Sequence, residues 1–347
     1  MRISIYFLFI CSIFLKFYNA NAQESKIKFG GYLDTYYAYD FSKPLNDRLY
    51  VTQYSKQNEF TLNHGILSAQ YDDGKVRANL GLHAGTYPAT NYAAEPEQFY
   101  KMIYRAYAGY KITKNGWLDI GVFGGHFGYE STLGLERELY SPALATEYTP
   151  YYESGIRYTQ QVSEKTQVRA VLLNGWQNIG ETNQKKSVGI AVDHQFSDKI
   201  SISYGNYYGD ESTNPDKKAM RFHNNFILNT KALDKLSFVG IVDYTIQSNV
   251  NANALFLTFI SKYDLAEKWS VAGRYENVSD KDGILISGIT GSFEMNVYSL
   301  ALNHYMTENA AFKVEGKLYK GPYKNFQGDL GVGDGSIVLS TGFMIKI

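Results

Sequence analysis

Cysteine is nearly missing from the 347 residues: the one example is Cys11, inside an apolar stretch close to the start. That stretch reads as a secretory signal over residues 1–22, with Arg2 as the positive n-region, Ile3 to Leu15 as the apolar run and Ala20-Asn21-Ala22 as the small-residue cleavage site. The run falls short of the roughly 20 residues a helix needs to cross a bilayer, and Leu8-Phe9-Ile10 ahead of Cys11 are too bulky for a lipidation box. Cleavage would leave a mature domain at 23–347 with no cysteine at all, hence no disulfide, thiolate nucleophile or Cys-metal site. That suits passage through an oxidising periplasm.

Two further absences narrow the class. No apolar run of helical-span length follows the signal, which excludes transmembrane helices but not a membrane barrel, where only every second residue faces lipid. Neither sign of charge dominates: Lys+Arg and Asp+Glu both number 34 for a formal net charge of zero, so there is no basic face for nucleic acid. Proline is scarce as well, at 7. What is abundant is Tyr (31), Phe (20) and Gly (31), a composition of strand formers and turn formers.

Many segments separate by parity into an apolar and a polar face. Over Lys26 to Asp40, Ile27, Phe29, Gly31, Leu33, Thr35, Tyr37 and Tyr39 oppose Lys28, Gly30, Tyr32, Asp34, Tyr36, Ala38 and Asp40. Val76, Ala78, Leu80, Leu82 and Ala84 likewise oppose Lys75, Arg77, Asn79 and His83, and the chain ends with Ile337, Leu339, Phe343, Ile345 and Ile347 on one face. Parity fails near Asn63-His64, where a β-bulge is expected. Leu255 to Ile260 is apolar on both parities, so its lipid-facing side is open.

Short turns and long polar connections alternate. Tight hairpins are expected around Asp73-Gly74, Asn115-Gly116, Glu164-Lys165, Asp198-Lys199, Asp234-Lys235, Glu267-Lys268 and Glu308-Asn309. Longer connections fall near 43–56, 88–100, 130–150, 178–186, 210–219, 247–253, 280–292 and 321–334. Fifteen joins imply about sixteen antiparallel strands, an all-β transmembrane barrel with short turns on the periplasmic side and long loops outside.

A soluble β-protein would show the same alternation with the oily face inward. The polar face, however, carries Asp34, Arg77, Arg105, Asp119, Glu153, Arg157, Arg169, Asp193, Arg221, Asp243, Arg274, Glu276 and Glu315 deep in the strands. Desolvating each in a packed core costs several kcal/mol, whereas a water-filled lumen is expected to leave them hydrated. Tyrosines near strand ends, such as Tyr37, Tyr39, Tyr110 and Tyr208, fit interfacial girdles.

The motifs Phe29-Gly30-Gly31-Tyr32-Leu33-Asp34, Ala106-Tyr107-Ala108-Gly109-Tyr110-Lys111, Leu118-Asp119-Ile120-Gly121-Val122-Phe123, His126-Phe127-Gly128-Tyr129-Glu130, Tyr151-Tyr152-Glu153-Ser154-Gly155-Ile156-Arg157, Asn174-Gly175-Trp176-Gln177 and Arg274-Tyr275-Glu276 run in order along nearly the whole mature chain. Together they resemble the beta-barrel porin-2 family, known mainly from Bacteroidetes-type bacteria. The resemblance implies a porin-like barrel of the Gram-negative outer membrane, with no catalytic residues and no cofactor to carry over. The last seven residues, Thr341 to Ile347, also resemble the terminal signal read by the barrel-assembly machinery, with Ile347 where an aromatic is usual.

Catalytic and metal patterns are thin. The histidines at 64, 83, 126, 194, 223 and 304 lack metal-ligand spacing. Gly331-Val332-Gly333-Asp334-Gly335 lacks the Lys and helix of a phosphate loop and is expected to be a flexible surface loop. The favoured expectation is passive diffusion of small hydrophilic solutes, with outer-membrane lipid as surroundings and a homotrimer as an assembly that porins allow. In the third long loop, Glu130, Glu136, Arg137, Glu138 and Glu147 are candidates for an acidic constriction that disfavours anions, opposite a basic wall of Arg77, Arg105 and Arg157. The alternative is a loop that only caps the rim. Competing classes are an adhesive or structural barrel and a barrel enzyme such as a phospholipase.

Overall fold

A computed structural model describes residues 26–347 except 213, 215, 249, 250, 290, 329 and 330. The expected signal, 1–22, lies outside the described residues. The strands are β1 (Ile27–Asp40), β2 (Phe60–Asp72), β3 (Val76–Ala84), β4 (Ile103–Thr113), β5 (Gly116–Gly124), β6 (Tyr152–Ser163), β7 (Thr166–Leu173), β8 (Ser187–Ser197), β9 (Ile200–Asp210), β10 (Met220–Leu233), β11 (Leu236–Gln247), β12 (Ala252–Ala266), β13 (Trp269–Asp280), β14 (Phe293–Thr307), β15 (Ala310–Lys320), β16 (Phe326–Gly328), β17 (Gly331–Gly333) and β18 (Gly335–Lys346). Sixteen of them, all but the small hairpin β16-β17, pair antiparallel with their neighbours, and β18 closes the barrel on β1. The hairpin takes the place of the expected loop around Gly331–Gly333.

Every expected tight turn joins a pair of strands, the register between β8 and β9 for example closing at Ser197↔Ile200 around Asp198-Lys199. Strands of 8 to 15 residues suffice for tilted bilayer crossing. The oily stripes face outward: Leu67, Leu80, Ile120, Phe259, Leu300 and Phe343 are exposed, a large penalty in water and none in hydrocarbon. In β12 the ambiguity resolves by alternation, with Leu255, Leu257 and Phe259 outward and Phe256 and Ile260 buried inside.

The expected bulge is at Asn63. Asp34 pairs with His64 and Thr35 with Leu62, leaving Asn63 as the extra residue. Its side chain turns inward beside that of His64, where Nδ2 donates to Asp34 Oδ2 at 3.1 Å and Oδ1 accepts from Tyr54 N at 3.0 Å.

Candidate functional site in the lumen

The third loop, residues 125–151, does not cap the rim. It leaves β5, descends through the barrel and returns to β6, bonded to the inner wall on several sides. Its root crosses β8 and β9, where both ring nitrogens of His126 meet acceptors: Nδ1 the Glu153 Oε1 at 2.7 Å and Nε2 the Asn206 carbonyl at 2.8 Å. Phe127 then stacks on His223, 5.0 Å between centroids. Farther on, Leu139 and Tyr129 pack against Ile227, Ile241, Ile260 and Ala301 of β10 to β14.

The deepest part of the loop docks on β1, β13 and β15. Asp34 Oδ2 accepts from Tyr54 at 2.8 Å and Oδ1 from Tyr140 at 3.0 Å. Glu315 takes the backbone N–H of Ser141 at 2.6 Å, and Glu276 takes that of Leu144, first residue of the short helix α1 (Leu144–Glu147), at 2.6 Å. Arg274 reaches Glu130 at 3.2 Å and Glu276 at 2.7 Å, all three side chains without exposure. Lys313 donates to the carbonyls of Gly134 and Arg137, and Lys317 to that of Pro142. Burying so many ions is tolerable because each is paired or multiply hydrogen-bonded.

Three glycines make the docking sterically possible. A Cβ at Gly189 would collide with His126, one at Gly205 with Phe127 and one at Gly342 with Tyr140. Glycine on the inward parity of a strand is the signal of close approach that parity analysis passed over.

These contacts correct two expectations. Asp34, Asp119, Glu153, Asp243, Arg274, Glu276 and Glu315 are buried rather than hydrated, because the loop or neighbouring side chains cover them. Asp243, for instance, lies against Asn225 and His223. The loop acids are all engaged in ion pairs or hydrogen bonds, and among them only Glu136 keeps an exposed side chain. Glu130 pairs with Arg274, Glu136 with Lys346 of β18, and Glu138 accepts from Tyr129. Glu147 is held by Thr52 and by the backbone of Gln53, and burial pushes its carboxyl above the usual range. Arg137 is buried too, bonded to Tyr54 Oη at 2.7 Å and Gln53 Oε1 at 3.1 Å.

Solvent instead reaches the opposite wall. Arg77 and Arg157, 23% and 16% exposed, both grip the covered Asp119, at 2.7 and 3.0 Å. Arg169, 24% exposed, pairs with Asp193, 38% exposed, at 2.5 Å. Arg105 lies over the Tyr104 ring at 4.2 Å and donates to that residue's carbonyl, with no carboxylate at ion-pair distance among the described residues. Arg221, half-buried at the outer end of β10, is equally without an ion-pair partner among them. No group of three or more His, Cys, Asp or Glu suited to a metal exists among the described residues.

Residues 26–347 match the model of the family described as Putative beta-barrel porin-2, OmpL-like. The chain belongs to that family. It is a porin-like barrel of the outer membrane, as the resemblance of its motifs implied. None of the curated proteins matches it in sequence. Among solved structures it is similar in fold to the outer membrane channel DcaP of Acinetobacter baumannii, with a TM-score of 0.61 at 11% identity over 92% of this chain and 97% of that one. Salmonella typhi OmpF in complex with daunomycin gives 0.62 at 12% identity over 92% and 97%. An anion-selective porin from Comamonas acidovorans gives 0.58 at 10% over 92% and 99%.

Proposed function

We propose that this porin passes small hydrophilic solutes by passive diffusion along the wall sector bearing Arg77, Arg105, Arg157 and Arg169, and that it is a channel and not an enzyme. The observation that carries the reading is the partition of the interior: the ion pairs that Arg274 makes with the docked loop are dry on one side, while partly exposed arginines line the other. A conducting barrel needs a hydrated, charged wall that binds permeants weakly. Four arginines against Asp119 and Asp193 give that sector a cationic excess, which favours anions. This reverses the preference expected from the loop acids, since those acids are engaged elsewhere; the Comamonas porin of similar fold is described as anion-selective.

Reconstitution in planar bilayers tests the reading. Stepwise ohmic conductance with an anion-biased reversal potential is expected, and silence from folded protein would overturn it. Deleting Leu133 to Tyr148 should raise the conductance, because those residues occupy the lumen; an unchanged value would deny the loop any constricting role.

The same proposal includes export by the signal at 1–22, recognition of β18 by the barrel-assembly machinery, and a lipid-facing exterior. It also includes assembly as a homotrimer. Supporting that, Ala69, Ala78, Ala106 and Ala108 leave a shallow concavity of about 390 Å³ on the outer face of β2 to β5, where another barrel could approach closely. Mass measurement of the detergent-solubilised protein decides between one copy and three.

A further inference from the structure

At the extracellular end of the lumen several connections converge on a cavity of about 350 Å³. Thr52 comes from the first loop, Asn91 from the second, Glu147 from the third, and Trp176 and Gln177 from the fourth, while Arg221 rises from β10. The volume lies at the small end of the range for organic-ligand sites, roughly 300–1,000 Å³.

Its polar groups are fixed but incompletely used. Arg221 Nε donates to Gln247 Oε1 at 2.9 Å and Nη2 to the Ile284 carbonyl at 3.1 Å, which holds the guanidinium plane with neutral acceptors only. Glu211 and Asp280 act on it from beyond ion-pair distance. Asp280 spends its own oxygens on the N–H groups of Ile284, Leu285 and Ile286, at 2.7 to 2.9 Å. Arg221 Nη1 has no partner among the described residues. A guanidinium in such a setting is a bidentate receptor for carboxylate.

The acceptor side is equally defined. Asn91 is 9% exposed; its Nδ2 donates to Thr52 Oγ1 at 3.3 Å, and its Oδ1 is buried without a partner among the described residues. Because the Thr52 hydroxyl donates to Glu147, the Asn91 amide is oriented with oxygen free. A buried acceptor left unmet costs about 1–3 kcal/mol; water does not reach this oxygen here, so a ligand hydroxyl meets it by a small shift of the Asn91 side chain. Gln177 Oε1 is taken by Tyr151 N at 2.7 Å, leaving its NH2 as a further donor. Trp176, whose ring lies 5.1 Å from the Arg221 guanidinium carbon, supplies an aromatic flank.

We propose that this vestibule is a recognition site for small hydroxylated carboxylates of the sugar-acid class. The carboxylate meets Arg221, a hydroxyl donates to Asn91 Oδ1 and the C–H face of the ring packs along Trp176. The site is the outer station of the diffusion route and names the solutes it would favour, so it builds on the channel reading. Binding can nevertheless be measured without flux.

Isothermal titration calorimetry on the folded, detergent-solubilised full chain uses sodium glucuronate as probe, with glucose and acetate alongside. Saturable glucuronate binding, tighter than either comparator, is expected. Arg221→Gln and Trp176→Leu should each weaken it roughly tenfold or more, and Asn91→Ala should narrow the gap between glucuronate and acetate. Folding of each variant is checked by heat-modifiable gel mobility, so a lost barrel is not taken for a lost site. Absence of saturable binding, equal affinity for glucose, or full affinity in folded Arg221→Gln would each overturn the proposal. A silent bilayer with intact calorimetric binding would overturn the channel reading alone.

Discussion

Arg274 of the wall and Glu130 of the third loop meet at 3.2 Å with neither side chain exposed, so the loop is fastened by a charge pair formed out of water. The same guanidinium also holds Glu276 and approaches Glu315 at 3.6 Å. Replacing it by Arg274→Ala leaves three carboxylates without their shared cation. A loss of roughly 3–5 kcal/mol is expected for breaking such a buried cluster, read as a lowered urea midpoint for the folded barrel. A midpoint unchanged from the parent would mean that the cluster contributes nothing.

Glycine under the loop makes a second point of attack. Gly342→Val or Gly205→Val places atoms where Tyr140 or Phe127 now sits, while the outer face of the strand is untouched. The loop should lift from the wall and present Arg137, now buried, to trypsin. Cleavage after Arg137 in the variants but not in the parent is the expected gel pattern; equal resistance would show that the loop accommodates the extra volume.

Charge in the solvent-exposed sector sets the third expectation. Neutralising Arg157 and Arg169 together, as Arg157→Gln with Arg169→Gln, removes two cations facing water and leaves Asp119 and Asp193 behind. The reversal potential in a salt gradient should move toward cation preference, and more so at low ionic strength, where screening is weak. No movement would place the ion path away from these residues.

The two faces of a strand should respond in opposite ways to a cation. Leu300 is 64% exposed on β14, so Leu300→Arg should cost roughly 2–4 kcal/mol in a lipid bilayer. Ser203→Lys, on the inner parity of β9 opposite Asp193, should change stability by no more than about 0.5 kcal/mol. Equal costs at the two positions would contradict the orientation of the wall.

Strand number, turn positions and the outward stripe were legible because each depends on neighbours in sequence: parity within a strand, and two residues such as Asp198-Lys199 between strands. Even the irregularity at Asn63 showed as a break in alternation. How the third loop docks was not legible, since its bonds join Tyr140 to Asp34, Glu130 to Arg274 and Ser141 to Glu315 across long separations. Acidic residues in a loop look free to meet solute until their partners are known. The vestibule escaped for the same reason, with Asn91, Trp176 and Arg221 drawn from separate connections. The third connection was a constriction candidate on its length and acids, but only the inward glycines hinted which wall it would lie against.

The extra residue in β2 makes that strand two half-strands with different frames. Toward the periplasm its even-numbered side chains look inward; toward the outside the odd-numbered Thr61 does, leaving Phe60 to the exterior. Removing the single codon for Asn63 would fuse the halves into one frame. Leu62 and His64 would then be successive, as their partners Thr35 and Asp34 already are, so no side chain need change face; the loss falls on Asp34 and Tyr54, which would be without the amide that ties them together.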